Sequence, residues 1–557
     1  MIGVLATNEA RPVVQEFFEL FKTPWEFYRK GAAYDVLLCD GVEVPAAAAS
    51  LVVIYGAKPN QFDCAHGIKV EAQPATALLH GPEGRLAIYG PWASIDFSGR
   101  GLLRHPDRET AVGVVLRHGH QTLVRIGFDL FHEIQHLLVK GQPAVHARIP
   151  TLERHIALLR DQILRCGLPL VEIPPVPAGF NFIACLTHDV DHYGVRNHRF
   201  DHTMWGFVYR AAATSLLRCW RGEITPRQLL ANWAAVGRLP LVQLGWAGDF
   251  WCQLDRYLEI EQGMGSSFYF IPFRNRRGRS CNGRDVSRRA ARYDVAELRE
   301  ELRRLERAGC EIGLHGIDAW CDAGAGQAER ERLAEGVNSR LEGVRMHWLF
   351  FDDQSPATLE AAGFSYDSSF GYNECVGFRA GTAQAFLPLG VTQLMELPLI
   401  LMDTAMFYPH YLNLSAAAAE EVVAGLLREA RQFGGAVTIN WHDRSILPER
   451  HWDGFYRRLL LRLRDEQAWM PTAASAVAWF RKRRSARIEE VVWRNGTVRV
   501  RASVAADAGK LPALRLRLHA PATPAESSEA RFVDFTLDGT LEETMDLPDR
   551  TPVPQIN

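Results

Sequence analysis

Residues 182–192 read Phe-Ile-Ala-Cys-Leu-Thr-His-Asp-Val-Asp-His. An apolar run of strand character stops at two carboxylates, Asp189 and Asp191, two positions apart. In an extended chain, positions i and i+2 project to the same side, so both carboxylates can face one cavity at the carboxyl end of a strand. Two like charges held that close are costly unless a metal or a shared proton offsets them. The pair therefore suits one carboxylate on a metal and one acting as a base. Without supporting groups elsewhere, the same pattern is a strand end with its carboxylates in solvent or salt bridges.

Such a pair needs a scaffold. Residues 180 to about 484 alternate candidate strands, ending at Asp189, Phe270, His315, His347, Leu399 and His442, with candidate helices over 295–308, 328–341, 416–433 and 452–464. Ser415 is a good N-cap for the third helix and Gly434-Gly435 a good stop. This order implies a parallel sheet or a (β/α) barrel, whose chemistry sits at the carboxyl ends of the strands. The Trp- and Arg-rich stretch 193–265 is too long for a simple connection and predicts an inserted helical subdomain. Residues 1–170 also alternate strands and helices, predicting an α/β domain of Rossmann-like or amidotransferase-like type, although no Cys sits in a convincing nucleophile elbow. A proline-rich linker, 171–179, follows. Beyond Arg484, period-2 alternation around Asn495-Gly496 predicts a hairpin. With 514–518 and 532–537, it suggests a small β-rich domain over 486–557 that ends in a frayed tail.

With 63 basic and 65 acidic residues, the chain is nearly neutral, and nothing in that balance calls for nucleic acid. Ten scattered cysteines, none in a Cys-x-x-Cys pair, suggest thiols in a reducing compartment. No secretory signal and no span of ~20 apolar residues is visible. The expectation is a cytoplasmic protein, with room for peripheral membrane contact.

Residues 180 to about 480 resemble the polysaccharide deacetylase superfamily (NodB homology, carbohydrate esterase family 4). Thr187-His-Asp-Val-Asp191 is similar to the Asp-x-Asp form of its first motif, which implies Asp189 as general base and Asp191 as metal ligand. The second motif, His-x-x-x-His, supplies His315, but position 319 is Ala; Asp318 or His347 would then be the third ligand. Val344-Arg-Met-His-Trp348 has the layout of the third motif, whose arginine orients the base, so Arg345 takes that role. Arg379 would serve the same purpose or bind substrate. Thr438-Ile-Asn-Trp-His442 resembles the last motif, making His442 the general acid; Trp441 would line the sugar site, with Asp403 a further pocket residue.

The resemblance implies a distorted (β/α) barrel and a divalent metal, usually zinc. The reaction implied is hydrolysis of N-acetyl groups on a carbohydrate. The departure at position 319 motivates an alternative: a catalytically weak barrel used for binding or scaffolding in envelope polysaccharide assembly.

A competing motif lies upstream. His132-Glu-Ile-Gln-His136 is a literal His-Glu-x-x-His on a predicted helix, the pattern of a zinc peptidase. Its third ligand is weak, since Glu153 is too close in sequence and His146 is off the usual spacing.

Overall fold

A computed structural model describes residues 1–45, 49–96, 100–106, 110–494, 497–505, 510–521 and 532–546. The predicted Asn495-Gly496 turn and the tail beyond 546 lie outside the described residues.

The chain is a mixed α/β protein. Its central feature is a curled, all-parallel sheet of nine strands: β1 (Phe182–Val190), β2 (Ser266–Phe270), β3 (Glu311–Gly316), β4 (Gly343–Met346), β5 (Tyr366–Asp367), β6 (Met395–Glu396), β7 (Leu399–Met402), β8 (Ala436–Asn440) and β9 (Ala468–Trp469). The order is β6-β5-β4-β3-β2-β1-β8-β7, with β9 pairing the start of β1. Strands β6 and β7 stand at opposite ends of that order, yet only Leu397 and Pro398 separate them in sequence. The sheet therefore curls, with two residues of chain bridging its two edges. Every residue of β1 is buried, as expected for a parallel strand covered on both faces.

Two expectations shift here. Leu399 starts β7 where it was expected to end a strand, because Pro398 has no N–H to join a ladder. The helix expected at 328–341 runs over Ala323–Ala334, with the Asp322 side chain accepting from Ala325 N as its N-cap. Gly324 and Gly326 obscured its helical spacing.

The first 170 residues form a second nine-stranded sheet of mixed sense. Strands Ile2–Leu5, Trp25–Phe27, Val36–Asp40, Leu51–Tyr55 and Gln121–Ile126 are parallel, and the sheet continues antiparallel through Ala111–His118. The segment 171–179 is only partly a linker. Leu170–Glu172 is a strand paired antiparallel with Leu514–His519. It lies at the edge of its three-stranded sheet, and its three residues precede the prolines that would break it. A further three-stranded sheet joins Arg487–Arg494, Thr497–Ser503 and Thr540–Asp546.

Between β1 and β2 the chain is helical: His202–Tyr209, Ser215–Trp220, Pro226–Gln243 and Leu254–Ile260, with a π-helical turn over Arg210–Thr214. No helix among the described residues is long and apolar enough to cross a membrane.

Candidate metal centre and active site

Three side chains from neighbouring strand ends converge. Asp191 follows β1, His315 lies in β3 and His347 follows β4; one ligand atom from each lies within 4.8 Å of the others. The Asp191 Oδ1 atom is 3.2 Å from His315 Nε2 and 3.5 Å from His347 Nε2. Alignment is poor, however, and this buried oxygen has no hydrogen-bond partner among the described residues. An acceptor left that way costs about 1–3 kcal/mol, which a cation between the three groups would offset.

The imidazoles are prepared for such a cation. His315 Nδ1 lies 3.0 Å from the Arg345 carbonyl oxygen, which can only accept, so Nδ1 carries the proton. That leaves Nε2, the nitrogen a metal would take, directed at Asp191. Burial pushes His347 down to about 3 despite the nearby Asp191 charge, keeping it in the neutral form a metal requires. Burial opposes the charge on Asp191 too, but the surrounding imidazoles, the protonated His442 among them, hold it well below the usual carboxylate range. One carboxylate and two imidazoles fit a divalent metal with open positions, zinc or iron by donor type.

Asp189 sits beside this group on the same face of β1. Arg345 Nη1 donates to its Oδ1 at 3.0 Å and Asn440 Nδ2 to its Oδ2 at 2.7 Å. The same Arg345 nitrogen reaches Thr187 Oγ1, two residues earlier, at 2.8 Å, while Nε and Nη2 are held by the Ser368 carbonyl and hydroxyl. Burial works against the charge on Asp189, but His315, Arg345 and His442 keep it below the ordinary range. It is an ionised carboxylate with a fixed orientation.

His442 closes the site two residues after β8. Its Nε2 is 3.9 Å from Asp191 Oδ2, and its Nδ1 bonds Asp403 Oδ1 at 2.6 Å. The other Asp403 oxygen accepts from His442 N at 2.7 Å and from Ser445 Oγ. Burial disfavours the imidazolium, but Asp403, Asp191 and Asp189 together push His442 up to about 9.

The structure moves several expected residues. Trp441 is wholly buried, stacked on Tyr456 and Phe455 with centroid separations of 4.7 and 6.0 Å, so it belongs to the core and not to a sugar-facing wall. Asp403 is also fully buried, with both oxygens engaged behind His442, so it fixes the His442 ring and does not line a pocket. Arg379 is not brought to Asp189. It donates to the Gly371 carbonyl at 2.8 Å and lies 4.5 Å over Phe370. Asp318 is taken up by Arg279 N and Arg276, leaving His347 as the third donor.

The His-Glu-x-x-His helix assembles no three-donor group among the described residues. Glu133 is buried and accepts from Tyr89 N and Gly90 N, both at 2.7 Å, and His136 stacks on Tyr89. Glu153 is bound by Thr382 and Gln384. Among the described residues, no third donor joins His132 and His136.

Sequence reasoning named Asn440 only as a spacer. Its signal is register: Asn440 pairs with Thr187 across β8 and β1, so it shares the face of Asp189. Beyond Asp191 the chain also lines a cavity of about 220 Å3 with His192, His198, Thr203, Arg277, Arg288 and Arg292.

No family model matches this chain, and no curated protein does. Solved structures similar to it include polysaccharide deacetylases, an allantoinase, a beta-galactosidase and a GH57 branching enzyme. One described as a polysaccharide deacetylase from Mycobacterium smegmatis has 19% identity and a TM-score of 0.35, covering 56% of this chain and 95% of that one. Another, from Pseudomonas aeruginosa PAO1, has 15% identity and a TM-score of 0.34, covering 56% and 94%. The Puue allantoinase has 14% identity and a TM-score of 0.33, covering 55% and 92%. These values are too low to transfer an activity.

Proposed function

We propose that this protein is a metal-dependent hydrolase that removes N-acetyl groups from a carbohydrate. The observation that carries this reading is the Asp191–His315–His347 donor group, flanked on one side by an ionised Asp189 and on the other by a protonated His442. A carboxylate base and an imidazolium acid on either side of a metal suit amide hydrolysis. The third donor, His347, fills the gap left by Ala319 and favours an enzyme over a catalytically weak scaffold.

Asp191, His315 and His347 would hold the metal, which when bound supplies Lewis-acid polarisation of the amide carbonyl and a more acidic water. Asp189 takes the proton of the attacking water; Arg345 and Asn440 hold its carboxylate beside the donor group, with Oδ2 3.8 Å from His315 Nε2. The water oxygen bonds to the acetyl carbon, and the carbon–nitrogen bond breaks. His442, oriented through Nδ1 by Asp403, gives its Nε2 proton to the leaving amine. Acetate and a free amino sugar result.

Metal content and acetate release from N-acetylated sugars test this reading on the parent and on Asp189→Asn. The variant should keep its metal and lose on the order of 10²–10⁴ in rate. A parent that binds metal but releases no acetate from any N-acetylated glycan sinks the proposal.

A further inference from the structure

The helices between β1 and β2 carry a surface that the metal centre does not explain. Among the described residues, eleven of the eighteen exposed large hydrophobic side chains lie between 200 and 246, a segment under a tenth of the chain. Trp205, Trp220 and Trp246 are 56, 84 and 77% exposed.

Their spacing is ordered. Along 202–220 the buried positions 204, 207, 211 and 215 form one stripe, which packs on the barrel. Exposed Trp205, Tyr209, Leu217 and Trp220 form a second stripe on the other side. Along Pro226–Gln243 the same division recurs, with Leu229, Asn232, Ala235 and Leu239 inward and Leu230 and Leu241 outward. The two helical stretches pack against each other. A helix apolar on both faces is covered on both faces, and here one face has no protein over it among the described residues.

The charge around that face identifies its cover. Residues 199–246 contain six Arg, no Lys and two acidic residues. Arg210, Arg218 and Arg221 pair with Glu449 or Glu223, while Arg199, Arg227 and Arg238 are exposed. Exposed tryptophan and leucine on arginine-bearing helices is the composition of helices that lie in a membrane interface, with cations on anionic headgroups. The arginine-lined cavity continues this charge inward: His202 and Thr203 open the first helix, His192 follows the ligand Asp191, and Arg277, Arg288 and Arg292 complete the wall. The helices are also tied to the segment that follows His442, with Arg210 bonded to the Glu449 carboxylate, Arg218 to its carbonyl and Asn232 accepting from its N–H.

We infer that the 200–246 helices dock in the surface of an anionic lipid bilayer without crossing it, holding the mouth of the metal centre near the headgroups. The inference rests on this surface and not on the chemistry proposed for the site.

Flotation of the full chain with vesicles of equal parts phosphatidylglycerol and phosphatidylcholine is the test, with pure phosphatidylcholine in parallel. The parent should float with the anionic vesicles, and less so at high salt. A Trp205→Ser/Trp220→Ser/Trp246→Ser variant should bind at least on the order of tenfold more weakly, the loss of large apolar groups from the interface. Leu217→Ser/Leu230→Ser provides a second variant should the first fail to fold. The inference is overturned if the parent stays with the unbound fraction, or if a folded variant floats as well as the parent. It is also overturned if sedimentation shows a dimer that these substitutions split, since the face would then meet a second copy. A protein that floats but releases no acetate refutes the deacetylase reading alone.

Discussion

Replacing His347 with Ala, alongside Asp318→Asn, decides which residue completes the donor group. The structure gives His347 a neutral ring 3.5 Å from the orphaned Asp191 Oδ1, whereas Asp318 is bonded to Arg279 N at 2.7 Å and to Arg276 at 3.2 Å. Removing a group that merely supports a ligand costs about 10–100-fold in metal affinity, so removing a ligand should cost at least about 100-fold. At free zinc of about 100 times the parent Kd, binding stabilises the fold by about 2.7 kcal/mol. A 100-fold weaker site under the same conditions retains RT ln 2, about 0.4 kcal/mol. Zinc titration of chelator-stripped protein, read by competition with a fluorescent chelator, gives the affinities. Thermal unfolding with and without zinc gives the linkage. Asp318→Asn keeps the oxygen that accepts from Arg279 N and should match the parent in both. Full zinc stabilisation in His347→Ala, or its loss in Asp318→Asn, refutes the assignment.

Asp403→Asn keeps the shape of the residue behind His442 but removes the charge that favours the imidazolium. A drop in kcat of about 10²–10⁴ with KM nearly unchanged is expected, and an unchanged kcat would remove His442 as the acid. Arg345→Met strands the buried Asp189 carboxylate with Asn440 alone; a loss of about 3–5 kcal/mol should appear in urea unfolding, with Arg345→Lys recovering part of it. A pH effect follows from Asp367 and Glu396, which are buried together. Burial pushes Asp367 up to about 6, and burial with the Asp367 charge holds Glu396 well above its ordinary value. The folded chain keeps protons that the unfolded chain sheds near pH 4, so their contribution is full below about pH 4 and is lost as pH rises through about 6. Glu396→Gln should flatten the fall in urea midpoint over that range; parallel profiles would rule the pair out as its source.

What was legible in the sequence was whatever local pattern determines. β1 is buried on both faces, so it reads as an apolar run, and the i, i+2 rule places Asp189 and Asp191 together without any other information. The same rule, carried one step further, would have corrected Trp441: if Asn440 shares the face of Asp189, its neighbour points into the opposite layer. Arg345 and Arg379 could not be separated locally, because each follows a short apolar stretch; only the pairing of His315 with Arg345 across β3 and β4 selects one of them. The surroundings of the His-Glu-x-x-His helix are equally illegible from local pattern. Its spacing is correct, but Glu133 is consumed by backbone N–H groups of residues 89 and 90, more than forty positions away, and no local signal announces that.

Position 319 has no room for a donor side chain. Ala319 is buried under the helix 323–334, and a Cβ added at Gly326 would come within 3.0 Å of the Ala319 Cβ. Helix and turn have closed over the place where a histidine side chain would need room. The histidine that joins the donor group lies one strand along, where His347 leaves β4 and its ring centroid is 4.9 Å from that of His315. Placing a histidine there with Ala319→His should therefore cost about 1–3 kcal/mol of overpacking and supply no ligand. In the double variant Ala319→His/His347→Ala, zinc affinity should stay at the level of His347→Ala alone. Recovery of parent affinity there would mean that the helix yields and that the two donor arrangements are interchangeable on this barrel.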